Sequence, residues 1–502
     1  MLTEPQRPES SAAVATRPPT AWLHPRSWWV VVRRHPAFTA VFVAGVVLRV
    51  ITMIAYRPAL LFIDSFRYLD LLKDLDPTRS QPIGYDALVL RPILSFGNLM
   101  TVVAVQHLAG LAIGVAIYAL LLRYRVWPWL AALATVPMLL DAYQLQIEQN
   151  IMSETLFEVL LVAGVVILLW NRRPGNRALV LAGVLLGTSL TVRLVGGPVV
   201  IPAAAFVLAA SPRGWWRLGR AAIFVAAFAV PVVAYAGYYY SFAGEVRLTS
   251  TDGNDLYGRA ATIVDCNHLS LPADLRQLCP PEPLGHRRGV DEYAHHRDTV
   301  VAVPPGKTLN DLLRAFTRQV FIHQPLDLAH AVGVDFLKGF RWDHTDARGD
   351  VPVFRWQFQT SYPRWPGLDA DRALHDHGGG KPTVNKPLAH FLRAYQMNVA
   401  FVPGPFIALG FAVGLLAGVG VGRARRSGLR AVCLLPATAG LVVLLGADFF
   451  EFSWRYQLPA LSLAPLAGAL GVAVLCGRAR PPDQIEQEEI PSSAAGVPAP
   501  ES

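Results

Sequence analysis

The sequence predicts an all-α integral membrane protein of about ten transmembrane helices, with an extracytoplasmic domain inserted before the last three. Three observations carry this expectation. The 502 residues are 53% hydrophobic and only 16% charged. Apolar runs close to the ~20 residues that a bilayer requires recur along the chain. Basic residues cluster in some of the gaps between those runs, and acids gather in the alternate gaps. A net charge of +9 would suit nucleic acid, but distributed in this way it sets topology instead. Nucleic acid is therefore not expected as a partner.

Taken in order, residues 1–36 read as a polar, Pro-rich cytoplasmic tail ending in Trp28, Trp29, Arg33 and Arg34, the composition of an interfacial anchor. It lacks a short apolar core followed by a small-residue cleavage site, so a removable leader is not expected. Spans follow near 37–56, 98–122, 127–141, 152–170, 178–193, 196–210, 220–241, 397–421, 429–447 and 456–476. The third, fifth and sixth are short for a bilayer. These spans define a transmembrane catalytic module at 37–241, with a first outer loop at 57–97, and C-terminal transmembrane helices at 396–476. Residues 242–395 form the extracytoplasmic domain, and 477–502 a disordered cytoplasmic tail.

Orientation follows from the arginines, because cytoplasmic loops are enriched in Lys and Arg. With the N-terminus inside, the loops holding Arg123 and Arg125, Arg172 to Arg177, Arg213 to Arg220, and Arg423 to Arg430 are all cytoplasmic, and none contains Asp or Glu. The other side receives Asp64 to Asp76, Asp141 to Glu148, the 242–395 segment, and Asp448 to Glu451. A multi-pass protein of the cell membrane with both termini cytoplasmic is the expected arrangement.

The 242–395 segment is too long to lack structure of its own. Its turn signals and helix-like runs predict a small, mainly helical and irregular domain. Cys266 and Cys279 fall within it, on a disulfide-permissive side, and are expected to pair, the alternative being two free thiols. Cys433 and Cys476 lie in apolar spans and read as buried thiols. The end of the segment is aromatic, with Trp342, Phe354, Trp356, Phe358, Tyr362 and Trp365. Such rings either pack as a membrane belt or core, or stack on sugar faces. No paired-cysteine or histidine spacing indicates a metal, and no phosphate loop or dinucleotide fingerprint stands out. No cofactor is expected, although the sequence leaves a divalent metal open.

Charged residues are costly in membrane spans and tend to mark function. Those interrupting the apolar runs are Asp64, Arg91, His107, Asp141, Glu148, Glu154, Arg193, Asp448, Glu451 and Arg455, and most map to one side. Six of them, Asp64, Arg91, His107, Glu154, Arg193 and Arg455, lie in "FIDSFRYL", directly after "QPIGYDALVL", and in "QHLAGL", "NIMSETLF", "TVRLVGGP" and "SWRYQLPAL". In this order the motifs resemble the integral-membrane glycosyltransferases of the C superfamily, which use polyprenyl-phosphate-linked sugars, such as protein mannosyltransferases and aminoarabinose transferases. The resemblance covers most of the membrane part.

It implies an inverting transfer from a polyprenyl-phosphate sugar to an acceptor hydroxyl on a polysaccharide, lipid or protein, with membrane lipid as surroundings. An acid of the first outer loop is the general base in such enzymes, and Asp64 is the matching position; its alternative role is a cap for the helix after Ser65. Partial burial at the membrane rim would raise its basicity. A departing lipid phosphate needs cations, for which Arg193, Arg455 and Tyr456 are the candidates. Two glycines after Arg193 would let a headgroup approach the backbone, and Asp448 and Glu451 would neutralise Arg455. The alternatives are a snorkelling Arg193 and a structural ion pair at Arg455. Arg91, His107 and Glu154 are secondary candidates. Some relatives carry two adjacent acids in the first outer loop, whereas here Ser65 follows Asp64, which argues against a second carboxylate or a loop-held metal.

The competing class is a polytopic transporter or flippase of lipid-linked saccharides without transferase activity. It would show an internal hydropathy repeat and charges at mid-bilayer; the sequence shows no such repeat.

Overall fold

A computed structural model describes residues 32–79, 82–295 and 301–482. The anchor tryptophans Trp28 and Trp29, and the C-terminal tail from residue 483, lie outside the described residues. The chain is a bundle of helices, and the strand content among the described residues is one pair of two-residue strands, Tyr56–Arg57 with Thr383–Val384, antiparallel. All ten expected spans fall on helices. Among the described residues five helices are long and apolar enough to cross a membrane: Pro36–Ala55, Leu99–Arg123, Trp216–Ala243, Arg430–Phe450 and Trp454–Leu475. A sixth is counted if Pro128–Leu140 and Ala142–Gln149, bent by 46° at Asp141, form one span. Asn176–Val192, Leu194–Ala210 and Gly404–Val419 are shorter apolar helices.

The bend at Asp141 corrects one expectation. Residues 141–148 read as an acidic outer loop, yet Ala142–Gln149 is a helix buried at every residue. Several of its polar side chains find partners inside the protein, which lowers the cost of burying them. Arg49 Nη2 donates to Glu148 Oε1 at 2.8 Å, His107 Nδ1 lies 2.8 Å from Glu148 Oε2, and Gln144 Nε2 donates to Glu158 Oε2 at 2.8 Å. Gly110 makes this possible, since a Cβ there would strike the Glu148 carboxylate. Elsewhere small residues bring backbones together: a Cβ on Gly468 would lie 3.0 Å from the Gly410 Cα, so the Gly404–Val419 and Leu458–Leu475 helices meet at their main chains.

At one end of the bundle, arginines bind the last carbonyls of the helices, where the helix dipole favours cations. Arg123 Nε donates to Trp170 O at 2.6 Å, Arg423 Nη1 to Cys476 O at 2.9 Å, and Arg430 Nε to Gly418 O at 3.0 Å. Cys433 is buried as expected, but Cys476 is exposed, because the last helix ends at Leu475.

The opposite end carries the first loop and the 242–395 segment. Helices Asp252–Ile263 and Leu309–His323 share a core of Tyr257, Leu313, Phe316 and Val320. Arg259, buried, ties this layer to the bundle by donating to Asp335 Oδ2 at 2.6 Å and to Asp448 O at 2.7 Å. The Cys266–Cys279 disulfide is formed, with Cα atoms 6.3 Å apart, and both cysteines pack against the same core. Replacing both by Ser is expected to destabilise this layer by about 3 kcal/mol on the loop-closure estimate. Intact-mass and peptide analysis of the unreduced protein checks the pairing; two free thiols would contradict it.

The aromatic stretch is core rather than belt. Trp356 and Phe358 are fully buried, which for rings of this size contributes about 1.5–3 kcal/mol each. Tyr362 Oη donates to Ala59 O at 2.9 Å and Trp365 Nε1 to Leu61 O at 2.8 Å, so the stretch clamps the first outer loop. Trp342 and Phe354 remain exposed.

Candidate active site

The first loop is pinned from both sides before it reaches Asp64. Leu60 pairs with the chain at Asn150, its N–H donating to Gln149 O at 2.9 Å while Ile151 N donates to Leu60 O at 3.1 Å. Tyr362 and Trp365 hold the other edge, as above. A helix then begins at Ile63, with Phe62 at its N-cap and Ser65 Oγ accepting from the Phe62 N–H at 2.9 Å. Asp64 therefore sits in the first helical turn but is not its cap, and its side chain is free to point elsewhere.

It points at Arg455. Asp64, 6% exposed, accepts from Arg455 Nη1 at Oδ2 over 2.7 Å, and Arg67 Nη1 lies 3.6 Å from Oδ1. Arg455 occupies a 3₁₀ turn, Trp454–Gln457, between the last two long helices. That turn is held from outside by Gln457 Nε2 donating to Gly339 O. Phe62, Trp356 and Tyr456 surround the Arg455 guanidinium, with ring centroids at 5.4, 4.9 and 4.9 Å. Arg455 Nη2 also donates to the Tyr456 hydroxyl at 3.1 Å.

Arg193 arrives from a third junction. The Asn176–Val192 helix stops at Arg193, whose backbone is extended, and a 3₁₀ helix, Leu194–Val199, follows. Arg193 Nη1 donates to Glu154 Oε1 at 2.5 Å and lies 3.4 Å from Ser153 Oγ, which is also 3.0 Å from the Tyr68 hydroxyl. Glu154 Oε1 is 3.6 Å from Arg455 Nη1, so one carboxylate serves two guanidiniums. The Arg193 guanidinium lies 5.2 Å from the Tyr456 ring.

Asp64, Arg67, Arg193, Arg455 and Tyr456 line a single cavity of about 630 Å³ at this end of the bundle, to whose lining Thr251, Asp255, Asp291 and Glu451 also belong. Glu154 stands behind it, in a small cleft with Glu158.

Several expectations change. Burial pushes the Asp64 carboxyl up, but Arg455, Arg67 and Arg193 outweigh it and hold the group below the usual carboxylate range. The expected rise in basicity is thus absent. Glu451 does not neutralise Arg455: burial, reinforced by Asp291, pushes it up to about 8, and Asp64 and Glu154 are the partners instead. Asp448 meets Arg259 instead, and through its backbone carbonyl. The glycines after Arg193 do not open onto the cavity either; a Cβ on Gly196 would meet Ser189 Oγ at 2.6 Å, and one on Gly197 would meet Leu190, so they serve packing.

Of the secondary candidates, only Glu154 joins the site. Arg91 is exposed on a short helix, Arg91–Leu94, away from the cavity. His107 is locked between Glu148 and Gln149, its Nε2 being 2.9 Å from Gln149 Oε1. Among other acids, Asp141 caps Ala142–Gln149, and Asp86 is buried and lines no described cavity. Arg67, Asp255 and Asp291 escaped the sequence reading because they lie in polar segments, where charge is unremarkable. Among the described residues no group of three His, Cys, Asp or Glu stands close enough to hold a metal.

No family model matches the chain, and no curated protein matches it. Solved structures resembling it in fold include the apo form of an oligosaccharyltransferase from Archaeoglobus fulgidus, with 15% identity and a TM-score of 0.44 over 95% of this chain and 54% of that one. The archaeal oligosaccharyltransferase AglB from the same organism, in complex with an inhibitory peptide and a dolichol-phosphate, gives 15% identity and a TM-score of 0.40 over 94% and 53%. Apo ArnT from Cupriavidus metallidurans gives 12% and 0.33 over 90% and 78%. The chain thus spans about half the length of the oligosaccharyltransferases it resembles.

Proposed function

We propose that the chain is an inverting glycosyltransferase that moves a sugar from a polyprenyl-phosphate donor to an acceptor hydroxyl at the extracytoplasmic face of the cell membrane. In this reading the ten helical segments cross or enter the bilayer, both termini are cytoplasmic, and 242–395 is the outer domain. One observation supports it above the rest: Asp64, Arg193, Arg455 and Tyr456, far apart in sequence, meet on one cavity at one end of an apolar bundle.

The acceptor oxygen bonds to the anomeric carbon as the bond from that carbon to the phosphate oxygen breaks. The hydroxyl proton passes to Asp64, and the bonding pair leaves with the phosphate, whose added charge Arg193 and Arg455 receive. Tyr456 supplies a hydroxyl donor beside Arg455. The Asp64–Arg455 pair also gives donor binding a role in catalysis. A phosphate that draws Arg455 away leaves burial to act on Asp64 and raises its basicity once the donor is in place.

The direct test is transfer by the purified full-length chain in lipid nanodiscs, with a panel of polyprenyl-phosphate-linked sugars and the acceptor fraction of a cell envelope. Transfer from at least one lipid-linked donor is expected. Transfer from a soluble nucleotide sugar alone would overturn the donor assignment. For topology, a cysteine placed at Arg173 is expected to resist membrane-impermeant maleimide in intact cells, whereas one in the outer segment at Arg364 is labelled; labelling at 173 from outside would contradict the arrangement.

A further inference from the structure

A second cavity, of about 210 Å³, lies beside the first and has a different chemistry. The two share Phe62, Arg355 and Trp365 in their linings. The dividing wall is aromatic: the Phe62 ring stands 5.0 Å from Trp365 in a T-shaped contact and 4.5 Å from Trp356. On the far side of that wall the lining is made of amides, with Gln146, Asn150, Gln357 and Gln359, together with Phe354, Tyr362 and Trp365. Its two guanidiniums are already matched, Arg355 by Asp291 at 3.4 Å and Arg364 by Asp371 at 3.1 Å. The neighbouring cavity presents Asp64, Arg193 and Arg455; this one presents neutral donors and acceptors beside aromatic faces.

Two buried polar atoms of its lining lack partners, Arg355 Nε and the Gln146 amide oxygen. Gln146 comes from the buried Ala142–Gln149 helix, in which Gln144 turns to Glu158 and Gln149 to His107. Gln146 lines the cavity instead, is 5% exposed, and its Oε1 has no hydrogen-bond partner. A buried acceptor left open is costly unless a ligand or water completes it.

We infer that this second cavity is a binding site for a neutral saccharide, the acceptor chain of the proposed transferase. Amide side chains offer both a donor and an acceptor, which matches a hydroxyl that is itself both. Aromatic rings supply the apolar surface that the C–H face of a sugar ring covers. An ionised ligand finds no unmatched counter-charge here. For an extended peptide the described lining offers no strand, only the single Leu60–Asn150 bridge, which is little edge for strand addition. The shared wall brings an acceptor seated here up to the donor cavity, with Phe62 two residues before Asp64 in sequence.

The role as acceptor site rests on the transferase reading, but the binding does not, and the experiment separates them. Saturation-transfer-difference NMR on the full chain in nanodiscs, without donor, uses three probes: a neutral mannose trisaccharide, a neutral arabinose trisaccharide and a Ser/Thr-containing hexapeptide. A signal from at least one trisaccharide is expected, with Kd raised about ten-fold by Gln146→Leu, the scale of one lost hydrogen bond, and raised likewise by Gln359→Ala at the partly exposed rim. The rim variant covers the case in which Gln146→Leu fails to fold. No signal from either sugar, a sugar signal that neither variant weakens, or binding of the peptide alone would overturn the assignment. A Gln146-dependent sugar signal in a protein that transfers nothing would remove the transferase reading and leave the site.

Discussion

Asp64→Asn is expected to leave the protein folded and able to bind donor while transfer falls by about 10²- to 10⁴-fold, the loss typical of removing a general base. The amide keeps the shape of the carboxylate and can still accept from Arg455, and Arg455 retains Glu154 at 3.6 Å. Asp70→Asn is the control. Asp70 is exposed, pairs with Lys73 at 3.0 Å and also with Arg79, and lines no described cavity, so transfer should stay near wild type. Initial rates at equal, folded protein concentration decide between them. Near wild-type transfer by Asp64→Asn would leave the acid as the electrostatic partner of Arg455 and nothing more.

Replacing Arg455 by Gln is expected to act in two ways. Losing a preorganised donor to the leaving phosphate should cost about 10²- to 10³-fold in kcat. It should also move the acid limb of the pH–rate profile. In the wild type, Arg455 and its neighbours hold the Asp64 carboxyl below the usual range, so the carboxylate persists as pH falls and is lost only below ordinary carboxylate values. Without Arg455 the strongest of these charges is gone while burial remains, and the limb should shift to higher pH. A log kcat/KM profile from pH 4 to pH 8 in both proteins checks this, and an unshifted limb would mean that another group titrates. Arg193→Ala leaves Asp64 paired with Arg455, so it should raise KM for donor along with lowering kcat, and should shift the limb upward by less than Arg455→Gln does.

The helical membrane class and most of the site could be read from the sequence because both rest on local signals. Apolar runs set the spans, and three of the quoted motifs lie at helix breaks, where backbone order changes at 150–154, 192–194 and 453–457. Charged residues at such breaks are conspicuous against apolar flanks. Partnership was not legible. Asp64 and Arg455 are paired across 391 positions, and no sequence spacing announces that Arg455 turns to Asp64 and Glu154 rather than to nearby Glu451. Depth was equally hidden: Asp141 to Glu148 has the composition of an outer loop, and only Arg49, His107 and Glu158, each from another helix, show why it can be buried. The glycines after Arg193 pointed to an open backbone because a sequence cannot show what packs against an absent Cβ.

The sharpest measurement for a single displacement in this cavity is the anomeric configuration of the product. With a donor of defined configuration at the lipid phosphate, NMR of the transferred sugar should show the opposite configuration, in wild type and in the residual product of Asp64→Asn alike. Retention of the donor configuration would require a second displacement through a glycosyl-enzyme, and would contradict the assignment of Asp64 as the base of a single displacement.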